Sequence, residues 1–396
     1  MDISSSEHYK KLRGSLIMKP KIFIAIDQFG TLGGISSVND ILHSGLSHKG
    51  YDVNYISLTN TSNTPNIVEF DRLKKFTSKN RLARMHPGPF KTKLAVKKIM
   101  VPVWKLDASY RILKFILFCP NNSCIIFSTT NIAQRILCNR FSNGLLKFKK
   151  ITTFYQFHNS FDSPYANDAV VKIGKKSSMF IALCPSDATR FSQQIGPHVI
   201  SIDNPCPDYE EPDNYLNRPK IVSVISRMSP EKNIPAIIDA FNDISLSNAE
   251  WRLEIYGEGE MSDYIKKYIR NLNNPRIKFG GVLSSEEVVS QLKRSRLIAM
   301  ASEFEGMPMS MLEAAAAGTP SISNVSSAAV KTFIDKSHGF LVEPNSREQY
   351  SRILSVALSE ISISDYRSNL VRNYARENSL ENFIDSWVYL LENVTR

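Results

Sequence analysis

Cysteine is scarce and scattered in this chain. Five occur in 396 residues, at Cys119, Cys124, Cys138, Cys184 and Cys206, and no two form a C-x-x-C pair. This excludes a disulfide scaffold and leaves no thiolate spacing for structural zinc, so reduced thiols acting as small buried hydrophobes fit the pattern. No apolar run reaches the roughly eighteen residues that a membrane-spanning helix needs. Residues 1–19 are Ser-rich and mixed in charge, lack the apolar core of a secretion signal, and read as a loose extension in which Met18 is a candidate start. The expected location is cytoplasmic. No D-x-D pair is present, so no metal is expected, and the G-x-G-x-x-G order of dinucleotide folds is missing too. Acids nearly vanish between Arg72 and Lys150, where eighteen Lys and Arg stand against Asp107 alone. That stretch carries +17 of a net +11, leaving the remainder at −6. One basic face of this kind suits an anionic partner.

What is present is a soluble-type composition, 42% hydrophobic, in a chain long enough for two domains of ordinary size. Short β-rich runs alternate with helical stretches throughout, the pattern of parallel doubly wound α/β sheets. Lys21 to Ile26 is a strand ending at Asp27 and the glycines Gly30, Gly33 and Gly34, and Ser36 or Ser37 can cap the helix that follows. Gly33 and Gly34, lacking a Cβ, allow the backbone to approach a ligand. From Thr92 to Phe118 apolar and basic positions mix at helical spacing around Trp104, in two pieces divided by Pro102. Such a stretch suits either one side of a sheet or an anionic bilayer surface. A helix is expected near Ile132 to Arg140, and the run Ile151 to Phe157 delivers His158 at its carboxyl end. Four prolines between Asp203 and Pro219 mark a hinge. The expected domains are 20–204 and 205–377, with 378–396 returning to the first.

The second half repeats this logic and carries the densest motif. Strand Ile221 to Ile225 leads into Ser226-Arg227-Met228-Ser229-Pro230-Glu231-Lys232-Asn233, and a glycine loop at Gly257 follows the strand Leu253 to Tyr256. After the strand-like Leu297 to Ala299 comes Glu305-Gly306-Met307-Pro308-Met309-Ser310-Met311-Leu312-Glu313, then a run of alanines stopped by Gly318 and Pro320. Pro308 suits a first helical position, so Glu305 precedes a short helix and Glu313 lies within it. Free N–H groups and the positive dipole end at this helix start suit a phosphate, while two carboxylates suit sugar hydroxyls.

This pair of Glu seven residues apart, with its Gly-x-Pro stop, resembles the signature of retaining GT-B glycosyltransferases of family 4. The loop at Arg227 resembles that family's R-x-x-x-E-K segment. The resemblance runs from about Lys21 onward and is weakest between Asn60 and Asn122. It implies two facing Rossmann-like domains, with a C-terminal helix from about Leu380 crossing back to the first. It further implies that Arg227 and Lys232 neutralise the diphosphate of a nucleotide sugar together with Met307 to Ser310. Glu305 would accept from the sugar, Glu313 from the ribose, Val282 would meet the base through its backbone, and Gly33, Gly34 and His158 would close over the sugar. UDP-hexose or UDP-N-acetylhexosamine is the donor so implied, with no separate cofactor. One departure stands out: where many relatives carry Gly-Gly-x-x-Glu, this chain has Ser326-Ser327-Ala328-Ala329-Val330-Lys331. The basic stretch points to a lipid-linked, phosphate-rich or envelope glycan acceptor, teichoic acid among them, or to an anionic membrane surface met peripherally. Nucleic acid is disfavoured, since no recognition motif accompanies the charge. A sugar-nucleotide epimerase and a non-catalytic glycan-binding subunit are the alternative readings.

Overall fold

A computed structural model describes residues 19–30, 33–60, 67–70, 106–210, 214–342 and 346–394. Most of the extension at 1–19, Met18 included, and the basic stretch 71–105 lie outside them. Two parallel sheets follow one another along the chain. The first has β1 (Ile22–Phe29), β2 (Val53–Asn60), β3 (Val68–Glu69), β4 (Cys124–Phe127), β5 (Thr152–Gln156), β6 (Met179–Ala182) and β7 (Val199–Ser201), in the order β3-β2-β1-β4-β5-β6-β7. The second has β8 (Ile221–Ile225), β9 (Arg252–Tyr256), β10 (Ile277–Gly281), β11 (Leu297–Met300), β12 (Ser321–Asn324) and β13 (Phe340–Val342), in the order β10-β9-β8-β11-β12-β13. Strand order reverses between β1 and β4 in one and between β8 and β11 in the other. The loops leaving these strands at their carboxyl ends therefore splay apart and open a crevice, the usual ligand position in such sheets.

The strands read as continuous apolar runs because helices cover both faces. One face of the first sheet packs Ile125, Phe127, Tyr155 and Phe180 against Ile132, Ile136 and Phe191. The other packs Ile24, Ile126 and Phe154 against Leu42 and Leu46 of the helix Gly34–His48 and against Trp387. Trp387 belongs to the C-terminal helix Leu380–Val394, which thus completes the first domain's core after the chain has built the second. Gly45 makes this possible, since a Cβ there would lie 2.2 Å from Ile384 Cδ1. Lys49 and Asp385 pair at 2.7 Å over the same junction. Among the described residues no helix is long and apolar enough to cross a membrane.

Three local expectations are corrected. The helix near Ile132 is two helices, Thr130–Leu137 and Arg140–Phe148, because the Asn139 side chain accepts from Phe141 N and Ser142 N and starts a new one. Neither Ser36 nor Ser37 caps the first helix; Gly33, at φ +155°, is its N-cap, and Ser37 Oγ donates back to Gly33 O. Pro308 is not the first helical residue but the N-cap, with ψ 125°, because the chain enters the helix from an extended segment.

Candidate active site

The loops after β8 and β11 flank the reversal point of the second sheet and bring the motif residues together. Lys232 Nζ donates to Glu305 Oε1 at 2.5 Å, and both side chains are largely buried. Arg227 lies one step out, mostly exposed, its guanidinium 3.4 Å from Glu231 Oε1. Backbone bonds lock the two loops in register: Glu303 N donates to Glu231 O at 2.8 Å. The loop after β9 interlocks with them, and Gly257 is required there, since at φ +133° an added Cβ would meet Ser226 O at 1.9 Å. Gly257 N donates to Gly281 O, which sets the exposed Val282 beside this loop.

The motif helix spans Met309–Ala316, and no side chain caps its amino end. Met311 N bonds back to Pro308 O at 3.1 Å, and the N–H groups of Met309 and Ser310 have no partner among the described residues. Its other end is held by the buried Arg218, which donates to Ala317 O at 2.8 Å and to Thr319 Oγ1 at 2.9 Å. A cation at a helix C-terminus is favourable. Glu313, one turn in, has no hydrogen-bond donor to its carboxylate among the described residues, and burial raises its pKa. The segment that departs from the common pattern cradles the motif loop: Glu305 N donates to Ser326 O, and Ser327 Oγ to Gly306 O at 2.8 Å. Ser327 also caps the helix Ala328–Ser337.

The first domain closes on this assembly. Gly34 lies against Met309, with an ideal Cβ 3.3 Å from Met309 Cγ, and Gly306 lies so close to His158 that a Cβ would fall 2.2 Å from His158 O. Asn204 Nδ2 donates to Met307 O at 3.4 Å, and Tyr165 meets Phe304 edge-on at 5.8 Å. Burial pushes the His158 imidazole down to about 4, and its Nε2 has no partner. Thus Gly34 and His158 of the first domain touch Met309 and Gly306 beside the Lys232–Glu305 pair, Gly33 is the N-cap just ahead of Gly34, Arg227, Gly257 and Val282 stand on the second-domain side, and Glu313 lies along the helix. Asn204 and Tyr165 belong here too and were not singled out from the sequence, where Ser327 was named only as part of a departure from the common pattern; Gln156, also not singled out, is buried along the first-domain cleft that His158 lines. The one signal for Gln156 was an amide two places before His158 at the end of the β-rich strand Thr152–Gln156. Among the described residues no group of three or more His, Cys, Asp or Glu is placed to hold a metal ion.

Two parallel Rossmann-like sheets facing across a crevice, with a terminal helix crossing back, are the GT-B fold. Residues 209–377 match the family described as Glycosyl transferases group 1. The chain is 26% identical over 200 residues to the poly(ribitol-phosphate) alpha-N-acetylglucosaminyltransferase of Staphylococcus aureus, half of this chain but 40% of that protein's length. An uncharacterized glycosyltransferase of Haemophilus influenzae is 22% identical over 94% of this chain and 99% of its own. Among solved structures, TarM superposes with a TM-score of 0.71 at 15% identity, covering 95% of this chain and 99% of that one. The pneumococcal O-GlcNAc transferase GtfA, in complex with UDP and GlcNAc, gives 0.71 at 13% identity over 96% and 99%.

Proposed function

We propose that this chain is a retaining, metal-independent glycosyltransferase that moves a hexose or N-acetylhexosamine from a UDP-sugar to an envelope glycan. Lipid-linked or phosphate-rich polymers of the teichoic acid kind are the acceptors in view. The observation that carries the reading is the Lys232–Glu305 pair beside the uncapped start of the Met309 helix, with Gly34 and His158 against it from the other domain. The relatives that act on poly(ribitol-phosphate) and poly(glycerol-phosphate) support the acceptor class, and the GtfA complex supports UDP.

In this reading the bond between the sugar's anomeric carbon and the diphosphate breaks as an acceptor hydroxyl attacks from the same face. The hydroxyl's proton passes to the departing phosphate oxygen. Charge grows on the diphosphate, where Lys232, Arg227 swung off Glu231, and the N–H groups of Met309 and Ser310 meet it, which lowers the barrier more than it tightens substrate binding. Glu305 turns to the sugar hydroxyls and Glu313 to the ribose. His158, held neutral, offers Nε2 to the sugar.

The same reading places the enzyme peripherally on the inner membrane face. Leu106, Tyr110, Leu117 and Phe118 on the helix 106–118, and Phe141 and Phe148 on Arg140–Phe148, are exposed large apolar side chains. Lys114 belongs to the first of these helices, Lys147 and Lys150 to the second and its end, and Lys149 Nζ donates to Leu117 O, tying the two helices. Aromatic and basic residues on one face suit an anionic interface.

A thermal-shift panel of nucleotide sugars, followed by NMR of the product's anomeric proton with EDTA present, tests the assignment. A stabilising UDP-sugar and a product of the donor's own anomeric configuration are expected. Inversion, or turnover abolished by EDTA and restored by a divalent ion, would overturn the retaining or metal-independent part. Flotation with vesicles should depend on anionic lipid and fall in a Phe141→Ser/Phe148→Ser variant; equal flotation on neutral vesicles would remove the membrane role.

A further inference from the structure

On the first-domain side of the crevice a second group of polar atoms has nothing to bond to. A cleft of about 350 Å3 lies at the carboxyl ends of β1, β4 and β5 and is lined by Asp27, Thr129, Asn131, Gln156, His158 and Tyr165, among others. Gln156 is wholly buried, yet neither its Oε1 nor its Nε2 has a partner among the described residues. Thr129 Oγ1 and His158 Nε2 are buried and unpartnered as well. Burying an amide with donor and acceptor both unmet is costly. A ligand that supplies both halves of the bonding accounts for it.

The chemistry of the lining narrows that ligand. No Lys or Arg is among the described lining residues. Among the described lining residues Asp27 is the one carboxylate, and its oxygens already accept from Ile132 N at 2.8 Å and Asn131 Nδ2 at 2.7 Å. A phosphate would meet a negative charge here and find no cation among the described lining residues to offset it. A hydroxyl, which donates and accepts at once, matches an amide and a threonine. The cleft also adjoins the donor groups, because His158 O abuts Gly306 and Tyr165 contacts Phe304 beside Glu305.

We propose that this cleft seats the terminal unit of the acceptor, and that this unit is a neutral sugar ring or polyol held by Gln156 and Thr129. Any phosphate of the acceptor stays outside, over the basic helices. The inference rests on the transferase reading and deepens it.

Matched pairs of probes test it: ribitol against ribitol 5-phosphate, and methyl α-D-glucopyranoside against glucose 6-phosphate, by saturation-transfer NMR on the full chain saturated with UDP. At least one neutral member should bind ten times or more tighter than its phosphorylated mate. In Gln156→Leu its affinity should fall at least tenfold while UDP affinity stays at the parent value and the ligand-free melting temperature rises. Equal or preferred binding of the phosphates, no binding by any neutral probe, or parental affinity in Gln156→Leu would overturn the proposal. Should Gln156→Leu fail to fold, Thr129→Val carries the same comparison. Absence of UDP binding in the parent would strike the transferase reading instead.

Discussion

At the scale of single residues, the site holds its charges in pairs that a substrate must take over. Lys232 gives its ammonium to Glu305 at 2.5 Å, so removing it deprives the leaving diphosphate of a cation and leaves a largely buried carboxylate alone. Lys232→Ala should therefore lower kcat by about 100-fold or more, on the scale of losing one transition-state contact. Its circular dichroism should stay native, and turnover equal to the parent would end the assignment. Glu313 stands apart: burial raises its pKa, and no described residue donates a hydrogen bond to its carboxylate. Glu313→Gln removes an uncompensated charge, so the ligand-free protein should melt no lower than the parent. UDP affinity should fall about tenfold to a hundredfold, the worth of a hydrogen bond to a charged group, and calorimetry reads this directly. His158 carries a pH signature. Its imidazole titrates near 4 in the folded chain and near 6.5 when unfolded, so the unfolded state alone takes a proton between those values. Stability attributable to it is present above pH 6.5 and lost as pH falls toward 4. His158→Gln should thus gain on the parent in melting temperature over that window, and a constant gap would contradict it.

At the scale of elements, the motif helix is held at its far end and just ahead of its start, while no side chain caps that start. Arg218 grips its last carbonyls, and Ser327 grips Gly306 O just ahead of it. The helix itself was readable from the run of helix formers and the Gly318 stop. The role of Ser326 and Ser327 was not, because a hydrogen bond from a side chain 21 positions away leaves no local pattern. Arg218 was hidden likewise inside what read as a proline-rich hinge. Gly306 matters for space rather than for conformation, since His158 O occupies the volume a Cβ would take. Gly306→Ala should wedge the two domains apart, costing about 1–3 kcal/mol as overpacking does. Turnover should fall with a larger radius of gyration in small-angle scattering; an unchanged radius with full activity would show that the contact is dispensable.

At the scale of the whole molecule, the chain leaves the first domain, builds the second, and returns to seal the first with Leu380–Val394. Trp387 is fully buried there, edge-on to Phe154 at 6.1 Å. Trp387→Ala should cost about 3–5 kcal/mol, typical of a large aromatic lost from a core, and should lower the first domain's denaturant midpoint. A change below about 1 kcal/mol would mean that the helix docks loosely.

By itself the sequence determined the alternation of strand and helix, the parallel sheets and the residues of the two glycine loops and the Glu motif. Each of these is written locally, as apolar runs, helix stops and short strings whose spacing is a property of neighbouring residues. Only the tertiary structure decided that Lys232 rests on Glu305, that His158 backs onto Gly306, and that Gln156 lies buried without a partner in a cleft free of described cations. Those facts depend on which strands stand beside the reversal points of two sheets, and contacts between residues far apart in the chain arise from packing, which no local pattern encodes.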